Sequence, residues 1–409
     1  MAARVCVGVV GAGPAGIMAA LEAAERGAAV SLFDTNEVVG RKLLVTGNGR
    51  CNISNIHARA ERYACTDRSA LQQALACCGH RETVARLREW GIPTYATADG
   101  WCYPLSESAA TVAETLAEVL ELAGVALRLK THVSDLQPAD GGVALTLGGG
   151  PHQERFDRVV LACGGKAYPA LGSRGELFPA LERLGHTVVA LRPALAPLLA
   201  DVRCFHKLQG VRLDVRLTLR EGQRPLGQTV GNLMWTQSGF SGPAAMDLSH
   251  LVSARPGAAL TLSIDLLADR RPALLEALKR WEGQPMPLAV ALGSVLPPKV
   301  APVLLPLAGL KADVRLHQVS PAERERLLRL LGGLAVEVRG TRGFDAAQLA
   351  AGGVPLAEVE PTTMASRRTP GLYLAGEVLD VVGPCGGYNL QWAWSSGALA
   401  GGGAAEAAS

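Results

Sequence analysis

The sequence predicts an α/β protein in which a parallel-sheet domain is built from both ends of the chain around a β-rich α+β insertion. Three observations predict it. Residues 5–10 are a short apolar run ending in Gly11, a helical pattern follows over 14–26, and a second apolar run over 29–33 ends in Asp34. This is a βαβ unit of ordinary size. The texture then changes near Leu191, where Pro193 and Pro197 interrupt the chain and residues 211–219 alternate apolar with polar, as a half-exposed strand does. From Gly352 the βα texture returns, with a short apolar strand over 371–375 and a helix from Leu390 to about Ala400. The expected division is residues 1–190 and 344–409 as the two parts of one domain, with 191–343 as the insertion and substrate domain.

The stretches between these landmarks follow the same logic. Helical patterns cover 69–90 and 109–123, and a strand-like segment covers 125–133. Asp140-Gly141-Gly142 marks a hairpin, and 158–162 reads as a buried strand closing on Cys163-Gly164-Gly165. In the insertion, a strand over 259–266 precedes helices over 273–281, 288–295 and 321–331.

Composition narrows the class of protein. A chain of 409 residues, 48% hydrophobic and containing 47 glycines, suits close helix–sheet packing and glycine-dependent turns. The net charge of +3 comes from scattered residues, which indicates neither a nucleic-acid surface nor an anionic membrane. Nine cysteines, an odd number without metal-ligand spacing, read as reduced thiols in a cytoplasmic protein. The eight histidines stand apart from one another, and no metal site is expected. Glycines at 11, 13 and 16 break the only stretch that resembles a signal peptide, and no apolar run reaches membrane-spanning length.

Gly11-Ala12-Gly13-Pro14-Ala15-Gly16 fits G-x-G-x-x-G between a strand and a helix. The first glycine permits a tight turn, the second lets the backbone approach a pyrophosphate, and the third lets helix and strand pack closely. Asp34 closes the next strand, at the spacing where a carboxylate accepts the ribose hydroxyls of an adenosine. An acid there disfavours a 2′-phosphate, so FAD or NAD is expected before NADP.

Two further glycine-rich elements follow. Residues 40–52 interleave glycines with the donors Arg41, Lys42, Thr46, Asn48, Arg50 and Asn52, a loop suited to an anion or a ring edge. Near the end, Gly371-Leu372-Tyr373-Leu374-Ala375-Gly376-Glu377-Val378-Leu379-Asp380 is followed by Gly386-Gly387-Tyr388-Asn389-Leu390-Gln391-Trp392-Ala393-Trp394-Ser395-Ser396-Gly397. That is a strand, an acidic turn, a glycine-rich loop and a helix. Glu377 or Asp380 can accept hydrogen bonds from a polyol, and the helix start near Asn389 offers free N–H groups to a flavin's pyrimidine edge. Trp392 and Trp394 are expected to pack.

Together these elements resemble the bacterial YhiN/BaiN-like flavoprotein family of NAD(P)/FAD-dependent oxidoreductases, over essentially the whole chain. Gly239-Phe240-Ser241-Gly242-Pro243-Ala244 and Tyr103-Pro104-Leu105-Ser106 add to the resemblance. The chain departs from the family at Thr46 and Asn48, which replace a Ser and a Gly, and at Cys163 and Cys385, where Thr is usual. The resemblance implies a Rossmann-like FAD-binding domain and non-covalent FAD. Gly11, Gly13, Pro14, Ala15, Gly16 and Asp34 would hold its ADP half. Arg41, Lys42, Thr46, Gly47, Gly49, Cys51 and Asn52 would line the pyrophosphate and flavin side. Val133 would meet adenine through its backbone, and Ala162, Cys163 and Gly164 would border the nucleotide. Gly376, Glu377, Asp380, Gly387, Asn389, Leu390 and Gln391 would hold the ribityl chain and isoalloxazine. One branch of the family reduces carbon–carbon double bonds of bile-acid intermediates.

Flavin chemistry is hydride or electron transfer, for which the protein supplies orientation and electrostatics. The expected reaction is hydride transfer to a small, partly apolar substrate, including ene-reduction. No second GxGxxG marks a resident nicotinamide domain, so NAD(P)H is expected as a transient co-substrate, or another donor serves. Candidate proton donors are Cys51, Tyr103, Cys385 and Tyr388, with a thiolate favoured at Cys51 by its Gly/Arg-rich loop. The alternatives are an FAD-dependent tRNA- or nucleic-acid-modifying protein, which Arg203, Arg212, Arg216 and Arg220 keep open, and a flavin-binding sensor without turnover. A nucleic-acid partner is the lesser expectation, and the sequence does not specify the oligomeric state.

Overall fold

The computed structural model describes residues 4–406. Its chain forms two compact units, Met1–Arg192 with Gln348–Ser409, and Pro193–Ala347. Each has its own apolar core. The architecture is the predicted one, a Rossmann-like α/β fold with a β-rich insertion.

The first unit is organised by a five-stranded parallel sheet. Its order is Leu372–Leu374, Arg158–Leu161, Cys6–Val10, Ala29–Phe33, Ala126–Arg128. The central strand is the first one in the chain, and its residues Val7, Val9 and Val10 are buried, as expected for a parallel strand covered on both faces. Four strands end on backbone bonds that carry the ladder outward: Gly11 N to Phe33 O, Ala162 N to Val10 O, Ala375 N to Leu161 O and Asp34 N to Arg128 O. The fingerprint turn, Asp34, Ala162–Gly165 and Ala375–Glu377 therefore emerge from the same sheet edge. Ligands of open parallel sheets bind at this carboxyl edge.

Two helices seal the sheet, and they meet with no side chain between them. Where Gly397 of helix Tyr388–Ala405 crosses helix Pro14–Glu25, a Cβ would lie 2.3 Å from Ala15 O. One turn on, a Cβ at Gly401 would lie 2.2 Å from Ala19 O. Glycine at both positions, facing alanines, lets the backbones touch. Gly376 faces the same helix, and its φ of +77° suits glycine.

Several sequence expectations are refined. The helix expected over 69–90 is two helices, Arg68–Cys77 and His80–Glu89, because Cys78 takes extended geometry and Gly79 caps the second. The segment expected as one strand over 125–133 turns at Lys130, with φ of +54°, before Val133–Ala139 begins a three-stranded antiparallel sheet. Its hairpin pairs Ala139 with Gly142, as the Asp-Gly-Gly sequence predicts.

The second unit is a closed six-stranded antiparallel barrel. Its order is Leu198–Ala200, Gly239–Ser241, Arg224–Thr236, Arg212–Glu221, Leu260–Asp265 and Leu334–Thr341, returning to the first. Strand Arg212–Glu221 alternates as its sequence suggests, with Leu213, Val215, Leu217 and Leu219 inward. Closure leaves no free sheet edge. Helices Arg271–Arg280, Leu288–Gly293, Ala301–Leu307 and Pro321–Gly332 extend its core through Leu274, Leu278, Leu292, Leu304, Leu327 and Leu331. Among the described residues, no helix is long and apolar enough to cross a membrane.

The helix seat yields a stability prediction. Gly401→Ala puts a methyl against the Ala19 carbonyl with nowhere to move, an overpacking cost of about 1–3 kcal/mol. Urea unfolding should show a lower midpoint for this variant, while Gly27→Ala, whose added Cβ meets nothing within 4 Å, should lose only what its φ of +90° costs.

Candidate functional site

The three fingerprint glycines are required for three different reasons. Gly11 has φ of +106°, and a Cβ there would lie 2.4 Å from Ala162 O. A Cβ on Gly16 would lie 1.7 Å from Gly11 O, so glycine is what lets helix Pro14–Glu25 start against the turn. Gly13 has ordinary extended geometry, and a Cβ there would meet nothing within 4 Å. The outer side of the turn is open at Gly13, beside the free N–H groups of the first helical turn. That is the shape and polarity a pyrophosphate needs.

Asp34 organises this turn from the next strand. Its Oδ2 accepts from Ala12 N at 2.7 Å, and its Oδ1 accepts from Asn36 N and Asn36 Nδ2, both at 2.8 Å. Oδ1 thus has both lone pairs engaged, Oδ2 keeps one for a further donor, and the side chain is only half-buried. Arg41 donates to Asn36 Oδ1 at 2.9 Å, and Gly40 N donates to Ala12 O at 2.8 Å, which docks the second glycine-rich loop on the first.

That loop turns sharply. Gly47, Asn48, Gly49 and Cys51 all have positive φ. Thr46 does not face outward as a donor: its hydroxyl donates back to Leu43 O at 2.6 Å. Lys42 crosses to the other end of the chain and bonds Glu377 Oε2 at 2.5 Å, while Glu377 Oε1 accepts from Ala350 N at 2.9 Å. A Cβ on Gly165 would lie 2.7 Å from that same Oε1. Asp380 accepts from Gly352 N at 2.9 Å, and burial raises its pKa. Gly164 has φ of +78°, with Ser173 Oγ 2.6 Å from where its Cβ would be. Val133 is buried at the start of its strand.

The start of helix Tyr388–Ala405 sits against residues 52–55 and Trp101. A Cβ on Gly387 would lie 2.2 Å from Ser54 O, and one on Gly386 would lie 2.8 Å from the Trp101 ring. Asn55 Nδ2 donates to Gly386 O at 2.8 Å. The Asn52 amide lies 3.1 Å from Ser54 O and 3.2 Å from Cys102 O, and its NH2 group donates to both. The tryptophans pack as expected and also tie the unit together. Trp392 Nε1 donates to Gly376 O at 3.2 Å, and Trp394 Nε1 donates to Ile53 O at 3.1 Å.

Three side chains have roles the sequence did not suggest. Asn389 closes a local ring: its Oδ1 accepts from Gly383 N at 2.7 Å, and its Nδ2 donates to Gly383 O at 2.9 Å. It shapes the loop that leads into the helix, so the donors left for a ligand there are backbone N–H groups. Gln391 is fully buried, and its Nε2 donates to Thr83 Oγ1 at 2.8 Å and Ser395 Oγ at 2.9 Å. Its Oε1 accepts from Ser54 Oγ at 2.5 Å, which uses that hydroxyl's one hydrogen. His80 Nδ1, 2.9 Å from Ser54 Oγ, must therefore carry a proton and donate. Cys51 corrects the expected thiolate: it is completely buried, and burial pushes its thiol up to about 11 against a smaller lowering from Thr46. The half-buried Cys163 is also pushed up, to about 12, by desolvation. Of the other proton-donor candidates, Tyr103 and Tyr388 are buried and Cys385 is half-buried.

The family described as HI0933-like protein, Rossmann domain, matches residues 5–403. The chain belongs to this family. It is an FAD-dependent oxidoreductase on that ground, and the open turn at Gly13, with Asp34 beside it, fits the nucleotide end of such a cofactor. The chain is 35% identical to the 3-dehydro-bile acid delta(4,6)-reductase of Clostridium scindens, over 98% of this chain and 99% of that one. It is 30% identical to the ribosomal RNA dihydrouridine synthase of Escherichia coli, over 95% of each. Among solved structures, the 3-ketosteroid-delta4-(5alpha)-dehydrogenase of Rhodococcus jostii RHA1 shares the fold, with a TM-score of 0.52 at 17% identity over 99% of this chain and 98% of that one.

The cysteine environments make a chemical prediction. All nine cysteines are free, and Cys6, Cys77 and Cys204 are exposed. Iodoacetamide at pH 8 should modify these three in the native protein and leave the buried Cys51 unmodified, as read by peptide mass spectrometry. Rapid native labelling of Cys51 would contradict its burial.

Proposed function

We propose that this enzyme saturates a carbon–carbon double bond conjugated to a carbonyl in a small, largely apolar molecule. One observation carries the reading. Two curated relatives matched along nearly the full chain, at 35% and 30% identity, bear names of one chemical kind. The first removes double bonds from an oxo-steroid ring system. The second produces dihydrouridine, which is uridine with the ring double bond next to its carbonyl saturated. The bound flavin supplies the hydride for such a step.

The residues of the first unit have defined tasks in this reading. Gly11–Gly16 and the N-terminus of helix Pro14–Glu25 hold the pyrophosphate, and Asp34 takes an adenosine ribose hydroxyl on the remaining lone pair of Oδ2. Gly387 and the N–H groups of the first turn of helix Tyr388–Ala405 present partial positive charge where negative charge develops on flavin reduction. Asn389 and the Gln391–Ser54–His80 chain fix that turn without facing the ligand. NAD(P)H is the proposed reductant, visiting transiently.

A small substrate is favoured over RNA by the charge pattern of the barrel. Arg203 is paired with Asp201, and Arg216 lies 4.0 Å from Asp265 and 3.8 Å from Asp269. Arg220 bonds Gln223 O at 3.2 Å. Two of the four arginines that kept the nucleic-acid reading open are thus answered by carboxylates rather than held out for phosphates.

The test is a single anaerobic turnover. Reduced holoprotein is mixed in parallel with 3-oxochol-4-en-24-oic acid and with an unmodified ribosomal RNA fragment. The steroid should gain two hydrogens by mass spectrometry while flavin absorbance returns, and the RNA should be unchanged. Dihydrouridine in the RNA, with the steroid untouched, would overturn the small-molecule reading. Gly13→Asp serves as the cofactor control. Its side chain enters open space, so the variant should fold and melt like FAD-free wild type yet retain no FAD, because a carboxylate stands where the pyrophosphate would be.

A further inference from the structure

Arg50 lies in the glycine-rich loop, between Gly49 and the buried Cys51, and its side chain is exposed. Several basic residues of the first unit are committed to acid partners. Arg26 and Arg86 pair with Glu22, Lys42 with Glu377, and Arg183 with Asp135. Among the described residues Arg50 forms no ion pair. Its guanidinium instead lies over the Tyr103 ring, 4.6 Å from the centroid, with two marginal bonds of 3.5 Å to Gly47 O and the Tyr103 hydroxyl. Glu107, the acid in this cluster, accepts from the Tyr95 hydroxyl. Burial raises the Tyr103 pKa, so the ring beneath the cation is a neutral phenol and no counter-ion.

A guanidinium held over an aromatic ring, with only Nε and one Nη weakly engaged, keeps its other N–H groups for a planar oxyanion. The stacking also fixes the side chain, so less rotamer freedom is lost on binding. The placement is specific as well. Trp101 and Tyr103 are two apart on strand Trp101–Pro104 and share a face. Trp101 lies against Gly386, and Tyr103 lies against Gly47 and carries Arg50. The cation therefore stands on the face of the strand that meets the glycine-rich entry to helix Tyr388–Ala405.

We propose that Arg50 is an anion anchor, taking the carboxylate or phosphate of the molecule that reacts beside this loop. The inference rests on reading residues 40–52 and 386–391 as the flavin border. Two sources offer such an oxyanion: an acidic side chain on the substrate, and the 2′-phosphate of NADPH. The substrate acid is the expected one.

The experiment titrates oxidised holoprotein with two matched pairs of probes and follows the flavin absorbance. One pair is 3-oxochol-4-en-24-oic acid against progesterone, which share a ring enone and differ in the acid. The other is NADPH against NADH, measured as anaerobic flavin reduction. The expected result is that wild type prefers the steroid acid. Arg50→Gln should weaken that acid roughly tenfold or more, the loss of a hydrogen-bonded charge, without changing progesterone. Arg50→Lys should recover only part, since it keeps the charge and loses the planar fork. A loss confined to NADPH would retain the anchor and assign it to the reductant. If neither steroid perturbs the wild-type flavin, the steroid-like substrate reading fails, and the dinucleotide pair alone decides the role of Arg50. If wild type shows no preference for the charged member of either pair, or Arg50→Gln keeps it, the anchor is overturned.

Discussion

The contact on which the first unit depends is the backbone-to-backbone approach of its first and last helices. Gly397 and Gly401 lie over Ala15 and Ala19 so closely that one methyl group would separate them. Everything the C-terminal segment contributes hangs from this seat. Gly376 rests on Ala15, the Trp392 indole bonds Gly376 O, and the Trp394 indole reaches back to Ile53 O. The same few ångströms thus join residues separated by more than three hundred positions. Dispersion and apolar burial at such contacts are individually small, and summed over a close-packed seat they decide geometry.

From that seat, the candidate site acquires two helix N-termini and a set of committed polar side chains. Lys42 with Glu377, Asn55 with Gly386, and Ser54 with Gln391 each link the loop after the second strand to the last quarter of the chain. Because these side chains are bonded to protein, they hold backbone donors in place and leave the donors themselves free. A site of this kind meets negative charge with preorganised dipoles, at no reorganisation cost when the charge appears.

The parts of this structure legible in the sequence are those set by local physics. The fingerprint turn, the Asp140-Gly141-Gly142 hairpin and the alternating strand at 211–219 each announce themselves within about a dozen residues. The fates of individual polar residues were not legible. Gln391, Glu377 and Cys51 look like ligands in the sequence, but their partners or burial come from segments far away in the chain. Asn389 was ambiguous for the opposite reason, since its partner Gly383 is only six residues away and nothing in composition distinguishes a loop brace from a ligand. Closure of the barrel was equally hidden, because two of its strands, Leu198–Ala200 and Gly239–Ser241, are three residues long and carry no periodic signal.

The central claim is that the seat between the two helices assembles the FAD site. It is tested most directly by measuring FAD affinity in Gly397→Ala, well below its melting temperature, against Leu262→Ala in the barrel core as an equally destabilising control. The account predicts weaker FAD binding for Gly397→Ala, whose methyl must push the C-terminal helix away from Ala15, and unchanged binding for Leu262→Ala. Unchanged affinity in a folded Gly397→Ala protein, or equal losses in both variants, would contradict it.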